Sequence, residues 1–92
     1  MSKPSNEIYI GKKPLMVYVT ASIVQLANEP SIIIKARGMS ITTAVDVSQI
    51  ILKRMGMVGY NLGDVKIGSE QMQSQDGRSR NVSTIEIEVK KA

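Results

Sequence analysis

The sequence predicts a two-layer α/β domain with the element order β-α-β-α-β-β. Three observations carry the prediction. Two segments, 15–27 and 41–55, place apolar residues at helical spacing; the last segment alternates apolar and polar residues; and Asp76-Gly77 marks a hairpin between the final two strands. A length of 92 residues fits one such domain over 1–92, with no internal repeat, low-complexity tract or linker.

Taken in order, Met1–Ser5 is polar, contains Pro4 and is expected to be disordered. Glu7-Ile8-Tyr9-Ile10 reads as a short strand closed by Gly11. Pro14 suits the first turn of a helix, and Leu15, Val19, Ile23 and Leu26 give that helix its apolar stripe. Asn28-Glu29-Pro30 ends it. Ile32-Ile33-Ile34 begins a second strand buried on both faces, which turns polar at Lys35-Ala36-Arg37 and breaks at Gly38. Ser40 is expected to cap a second helix from Ile41 to about Met55, with a stripe of Ile41, Ala44, Val45, Ile51, Leu52 and Met55. Val47 and Ile50 fall off that stripe, so this helix is expected to be buried on two sides, as self-association would require. Leu62, Val65 and Ile67 start a third strand running to about Gln73, and 74–81 is expected to be an extended hairpin loop. In the last strand Ile85, Ile87 and Val89 point inward, and Thr84, Glu86, Glu88 and Lys90 outward.

Composition narrows the function. The formal net charge is +4 and the pI near 9.6, so an anionic partner is expected, nucleic acid before a membrane surface. Absence of cysteine and histidine removes disulfides, thiolate metal sites and the commonest acid–base group. No phosphate-loop or dinucleotide motif is present, so neither a metal nor a cofactor is expected. The first residues lack the apolar core of a signal peptide, and no apolar run is long enough to span a bilayer. A soluble, intracellular protein is expected. The hydrophobic 42% is almost wholly aliphatic, with three Tyr and no Phe or Trp, which disfavours base stacking and favours contacts to backbone and groove.

The placement of the basic residues sharpens this. Two right-handed β-α crossovers bring both strand ends and both helix starts to one rim of the sheet. Lys12 and Lys13 follow the first strand; Lys35 and Arg37 finish the second and share a face. Cations beside helix N-termini face the positive end of the macrodipole, a cost an incoming phosphate relieves while accepting free backbone N–H groups. The alternative is a pair of solvated lysines in a loop. Arg78 and Arg80 stand at alternate positions on the glycine-containing hairpin, an arm narrow enough for a minor groove; its alternative is a solvated turn. Lys53 and Arg54 complement the negative end of the second helix and need no further account.

Four short motifs, Ile10-Gly11-Lys12-Lys13-Pro14, Ile34-Lys35-Ala36-Arg37-Gly38, Ser74-Gln75-Asp76-Gly77-Arg78 and Val82-Ser83-Thr84-Ile85-Glu86-Ile87, resemble the Alba family of archaeal chromatin proteins in order and spacing. The resemblance runs from about Asn6 to Lys91. It implies two helices on one face of a mixed four-stranded sheet, like the C-terminal domain of translation initiation factor three, and it implies a homodimer. It places Lys12 and Lys13 centrally on a nucleic-acid face, with the hairpin around Gly77, Arg78 and Arg80 reaching a minor groove. Two departures stand out. Met39 occupies a position that is basic in many relatives, and Met55 lies where some relatives use an aromatic for dimer–dimer contacts.

The expected function is therefore that of a non-enzymatic, largely sequence-independent binder of double-stranded DNA that packages the archaeal chromosome in the cytoplasm. Lys12, Lys13, Lys35, Arg37, Arg78 and Arg80 carry the contacts, Lys35 the least. Modification that removes charge at Lys12 or Lys13 would weaken binding. RNA is the alternative partner, in stabilisation or processing, because phosphate contacts do not read the sugar. An enzyme acting on a phosphorylated metabolite at the same rim would need Lys, Asp or Tyr chemistry, and no paired arrangement for it is evident.

Overall fold

The β-α-β-α-β-β order is realised as a four-stranded sheet in the spatial order β1-β2-β4-β3, where β1 is Glu7–Tyr9, β2 Ser31–Arg37, β3 Tyr60–Gln73 and β4 Ser79–Lys91. The computed structural model describes residues 6–91; the expectation of disorder at 1–5 lies outside them. β1 pairs parallel with β2, while β4 is antiparallel to both β2 and β3, so the sheet is mixed. One face carries Ile8, Ile10, Ile32, Ile34, Ala36, Ile85, Ile87 and Val89, all buried. Helices α1 (Leu15–Asn28) and α2 (Ile41–Met55) cover it, and these residues form one core with Val19, Leu26, Ala44, Val47 and Ile51. The opposite face is mostly polar: Lys35, Thr84, Glu86 and Glu88 alternate with the core residues along β2 and β4, and Ile33 lies half-buried among them, so β2 is fully buried on one face only.

Helix α1 starts at Leu15 because Pro14, extended at φ −57 and ψ 147, supplies the carbonyl for the first turn and has no N–H to lose. It stops at Asn28 because Pro30 forces Glu29 into an extended conformation. Helix α2 has the expected bounds but a different start. Ser40 is itself helical (φ −80, ψ −8) and its hydroxyl caps nothing. A short 3-10 turn, Gly38–Ser40, leads in instead, entered through Gly38 in the left-handed conformation at φ +59.

The buried stripe of α2 also differs from the expected one. It runs through Ala44, Val47, Ser48 and Ile51; Val47 is fully buried, whereas Val45 is 40% exposed. Ser48 is acceptable inside because its hydroxyl donates to the Val45 carbonyl at 2.7 Å. Ser22 does the same in α1, donating to the Tyr18 carbonyl at 2.7 Å. A stripe that includes a self-satisfied serine is invisible to a search for large apolar side chains.

Strand β3 begins at Tyr60, two residues before the expected start, and a bulge between Leu62 and Val65 inserts an extra residue. The bulge keeps Leu62, Val65 and Ile67 on the helix side, opposite Val89, Ile87 and Ile85. The helices do not reach over them: the three are 45%, 47% and 82% exposed.

Candidate nucleic-acid interface

Because β2 and β3 are both antiparallel to β4, they are parallel to one another and to β1. The C-terminal ends of all three strands therefore lie on one rim. The Lys12–Lys13 loop follows β1, the Gly38–Ser40 turn follows β2, and the hairpin follows β3. Lys53 and Arg54, in the last turn of α2, and Lys90, paired with Ser31 at the start of β2, belong to the opposite rim.

The lysine loop is fixed on both sides. The Ile10 amide donates to the Lys35 carbonyl at 2.9 Å, extending the β1–β2 ladder by one bond and laying the loop beside the end of β2. The amides of Gly11 and Lys13 then both donate to the hydroxyl oxygen of Tyr18, at 2.8 and 2.9 Å. Tyr18 reaches them from the first turns of α1 because helical side chains lean towards their own N-terminus. Gly11 permits the approach, since a Cβ there would lie 3.3 Å from that hydroxyl. Lys12 and Lys13 are exposed. The expectation of free backbone N–H groups is thus corrected at Gly11 and Lys13. Those two amides are spent on Tyr18, which leaves the exposed lysine side chains as the loop's main means of meeting an anion.

Lys35 and Arg37 share the polar face, as their spacing implies, but in different circumstances. Lys35 Nζ is 2.6 Å from Glu7 Oε2 and 5.7 Å from the centre of the Tyr9 ring. Its hydrogen bond to Glu7 holds the ammonium pKa above the ordinary lysine value. The same carboxylate accepts the Tyr9 hydroxyl at 2.9 Å and raises the phenol's pKa. Lys35 is thereby neutralised one step back from the rim. Arg37, the last residue of β2, is open to solvent and reaches Glu70 on β3, with Nη1 3.5 Å from Oε2. Between them lies a groove of about 510 Å³ that also touches Thr84 and Glu86.

The hairpin continues past the end of β2. The last β2–β4 pair is Arg37 with Thr84, whereas β3 and β4 stay paired out to Gln73 with Ser79. This two-stranded arm reaches roughly 17 Å beyond the sheet, at about 3.4 Å for each of the pairs from Ser69–Ser83 to Gln73–Ser79. Its loop is shorter than expected: β4 starts at Ser79, so 79–81 are strand and Arg80 is paired with Met72. At the tip the Asp76 carboxylate accepts the Ser74 hydroxyl and the Arg78 amide, and Gly77 takes φ +83. Those bonds, Ser74 first, depress the Asp76 pKa. The Arg78 side chain is 89% exposed, with its Nε 3.8 Å from Asp76.

The structure thus brings Lys12, Lys13, Arg37, Arg78 and Arg80 to one rim and its arm, and sets Lys35 slightly apart in an ion pair. Two residues of the site had no counterpart in the sequence reading. Tyr18 was detectable in principle, as a tyrosine near a helix start behind the lysine pair. Glu70 was not, because its proximity to Arg37 depends on β4 separating their strands. Among the described residues no cluster of carboxylates could hold a metal ion, and no helix is long and apolar enough to cross a membrane.

Comparison with known proteins agrees with this architecture. The family model described as Alba matches residues 6–69. The DNA/RNA-binding protein Alba of Nitrosopumilus maritimus (strain SCM1) is 66% identical over 84 residues, covering 91% of this chain and 88% of that protein. Among solved structures, Alba from Thermoplasma volcanium superposes with a TM-score of 0.82 at 40% identity, over 94% of this chain and all of that one. ALBA1 from Trypanosoma brucei, at 22% identity, shares the fold, with a TM-score of 0.76 over 99% of this chain and 73% of that one. The chain belongs to the Alba family.

Proposed function

We propose that the protein is a homodimer that binds double-stranded DNA with little sequence preference and packages chromosomal DNA in the cytoplasm. The observation that carries this reading is the convergence of the lysine loop, Arg37 and the arginine-bearing arm on one rim. Cations there outnumber the nearby carboxylates of Glu70 and Asp76, and they sit on exposed, protruding elements suited to phosphates and a groove. The reading is of a binding protein and not an enzyme, in keeping with a relative named for DNA and RNA binding.

Dimerisation is supported by the apolar face of β3. Leu62, Val65 and Ile67 present a row of aliphatic side chains on an edge strand that the chain's own helices leave uncovered. A second copy related by a two-fold axis would bury that row and double the basic rim. Assembly of dimers along DNA would use the fully exposed Met57 and its neighbour Val58, just beyond α2; Met55 is partly buried against the core. Charge-removing modification of Lys12 or Lys13 would weaken binding, since these ammonium groups are the loop's contact with phosphate.

The test is affinity for two unrelated DNA duplexes of equal length across a salt series. If Lys12, Lys13, Arg37, Arg78 and Arg80 engage in both subunits, log K falls against log salt with a slope of about −9, equal for the two sequences. Weak binding at low salt, or a strong preference for one sequence, overturns the reading. The relative's name also includes RNA, so RNA is the second reading. Matched duplexes of DNA and RNA, together with the nucleic acid that co-purifies from cells, separate the two.

A further inference from the structure

Two backbone amides of the lysine loop converge on one side-chain oxygen. Gly11 and Lys13 donate to the Tyr18 hydroxyl at 2.8 and 2.9 Å, with Lys12 held between them. Tyr18 itself is 7% exposed, so its hydroxyl is held in place by a buried ring while the loop it fastens lies at the surface. Tying residues 11 and 13 to a single atom restricts the backbone of all three loop residues. A loop left unfastened would have to be ordered when an anion binds, and that entropy would be subtracted from affinity.

We propose that Tyr18 is a positioning residue of the nucleic-acid site: its hydroxyl presets the Gly11–Lys13 loop so that Lys12 and Lys13 meet a phosphodiester backbone already in place. This rests on the reading of Lys12 and Lys13 as phosphate contacts. The hydroxyl is the operative group, while the ring packs in the core beside Val19. The clasp also occupies two amides that would otherwise be available to an anion near the start of α1, which directs the phosphate to the ammonium groups. Gly11 completes the device. A methyl group there would stand 3.3 Å from the hydroxyl, so that the loop or the hydroxyl must shift by a few tenths of an ångström.

The test compares wild type, Tyr18→Phe, Gly11→Ala, Lys12→Ala/Lys13→Ala and the Tyr18→Phe/Lys12→Ala/Lys13→Ala combination, each as the full chain. Two readouts are taken: amide exchange at residues 11 and 13, and affinity for one DNA duplex. Tyr18→Phe keeps the ring and loses the acceptor. Faster exchange at both amides is expected, with an affinity loss of roughly 3- to 10-fold, the scale of one or two modest hydrogen bonds. Gly11→Ala, which leaves the core untouched, is expected to act in the same direction. In the lysine-free background Tyr18→Phe should cost nothing further, because the residue acts through the lysines. Unchanged affinity despite lost amide protection overturns the proposal, and so does a full additional loss in the lysine-free background. A Lys12→Ala/Lys13→Ala variant that binds like wild type overturns the lysine reading itself, which is a separate failure.

Discussion

Arg37 Nη1 lies 3.5 Å from Glu70 Oε2, across β4 from the end of one strand to the arm of another. The pair is more than half exposed on both sides, so it contributes little to stability. Its consequence is for binding, because a phosphate that engages Arg37 must compete with this carboxylate. Glu70→Gln is therefore expected to tighten duplex DNA binding by about 2- to 5-fold at low salt, with the gain shrinking as salt screens it. Glu29→Gln, the same charge change at the opposite rim, serves as control. Equal effects from the two variants would mean that net charge alone, and not the Arg37 contact, sets the affinity.

The lysine pair has a sharper signature than affinity alone. Lys12→Ala/Lys13→Ala removes four cations from the proposed dimer, so the salt slope should become shallower by about 3 to 4. Lys53→Ala/Arg54→Ala removes the same number from the far rim, at the end of α2, and is expected to leave the slope nearly unchanged. A filter-binding or anisotropy titration at several salt concentrations measures both.

The uncovered face of β3 predicts an oligomer that one charge can break. Ile67 is 82% exposed in the single chain, so Ile67→Asp has no folded-core cost within it. If that face is the interface of the proposed dimer, the substitution would bury an unpaired carboxylate from each subunit, at a penalty of several kcal/mol. Sedimentation is expected to move from dimer to monomer at micromolar concentration, with circular dichroism preserved. A variant that stays dimeric would locate the interface elsewhere.

The hairpin tip predicts a pH dependence. Ser74 and Arg78 donate to the ionised Asp76 carboxylate and hold its pKa below the ordinary aspartate value. A depressed native pKa stabilises the ordered tip at pH above the unfolded value, and that contribution disappears as pH falls through the native one. Protection and chemical shift of the Arg78 amide should therefore be constant from neutral pH to about 4 and change only below it. A midpoint at or above the ordinary value would show that the carboxylate does not organise the tip.

Much of the protein can be read from local spacing. The order of six elements, both helix ends and the alternation of β4 follow from periods of 3.6 and 2 and from Pro14, Pro30 and Gly38. The basic candidates were legible for the same reason: each stands next to a strand end or a turn that the sequence marks. Where the reading of the helices differed, the cause was still local. Ser48 entered the core of α2 because its hydroxyl is satisfied within the helix, and Ser40 gave up its cap to a 3-10 turn.

The tertiary structure alone decided how the candidates meet. Inserting β4 between β2 and β3 makes those strands parallel, which sends the arm out from the rim that carries Lys12 and Lys13. The same insertion carries Glu70 to Arg37, while the β1–β2 register sets Lys35 against Glu7 and away from the open rim. Periodicity records which way a side chain points from its own backbone, whereas strand order and register are settled by pairing between distant segments. The element list was therefore written in the sequence, and the grouping of charges was written by the sheet.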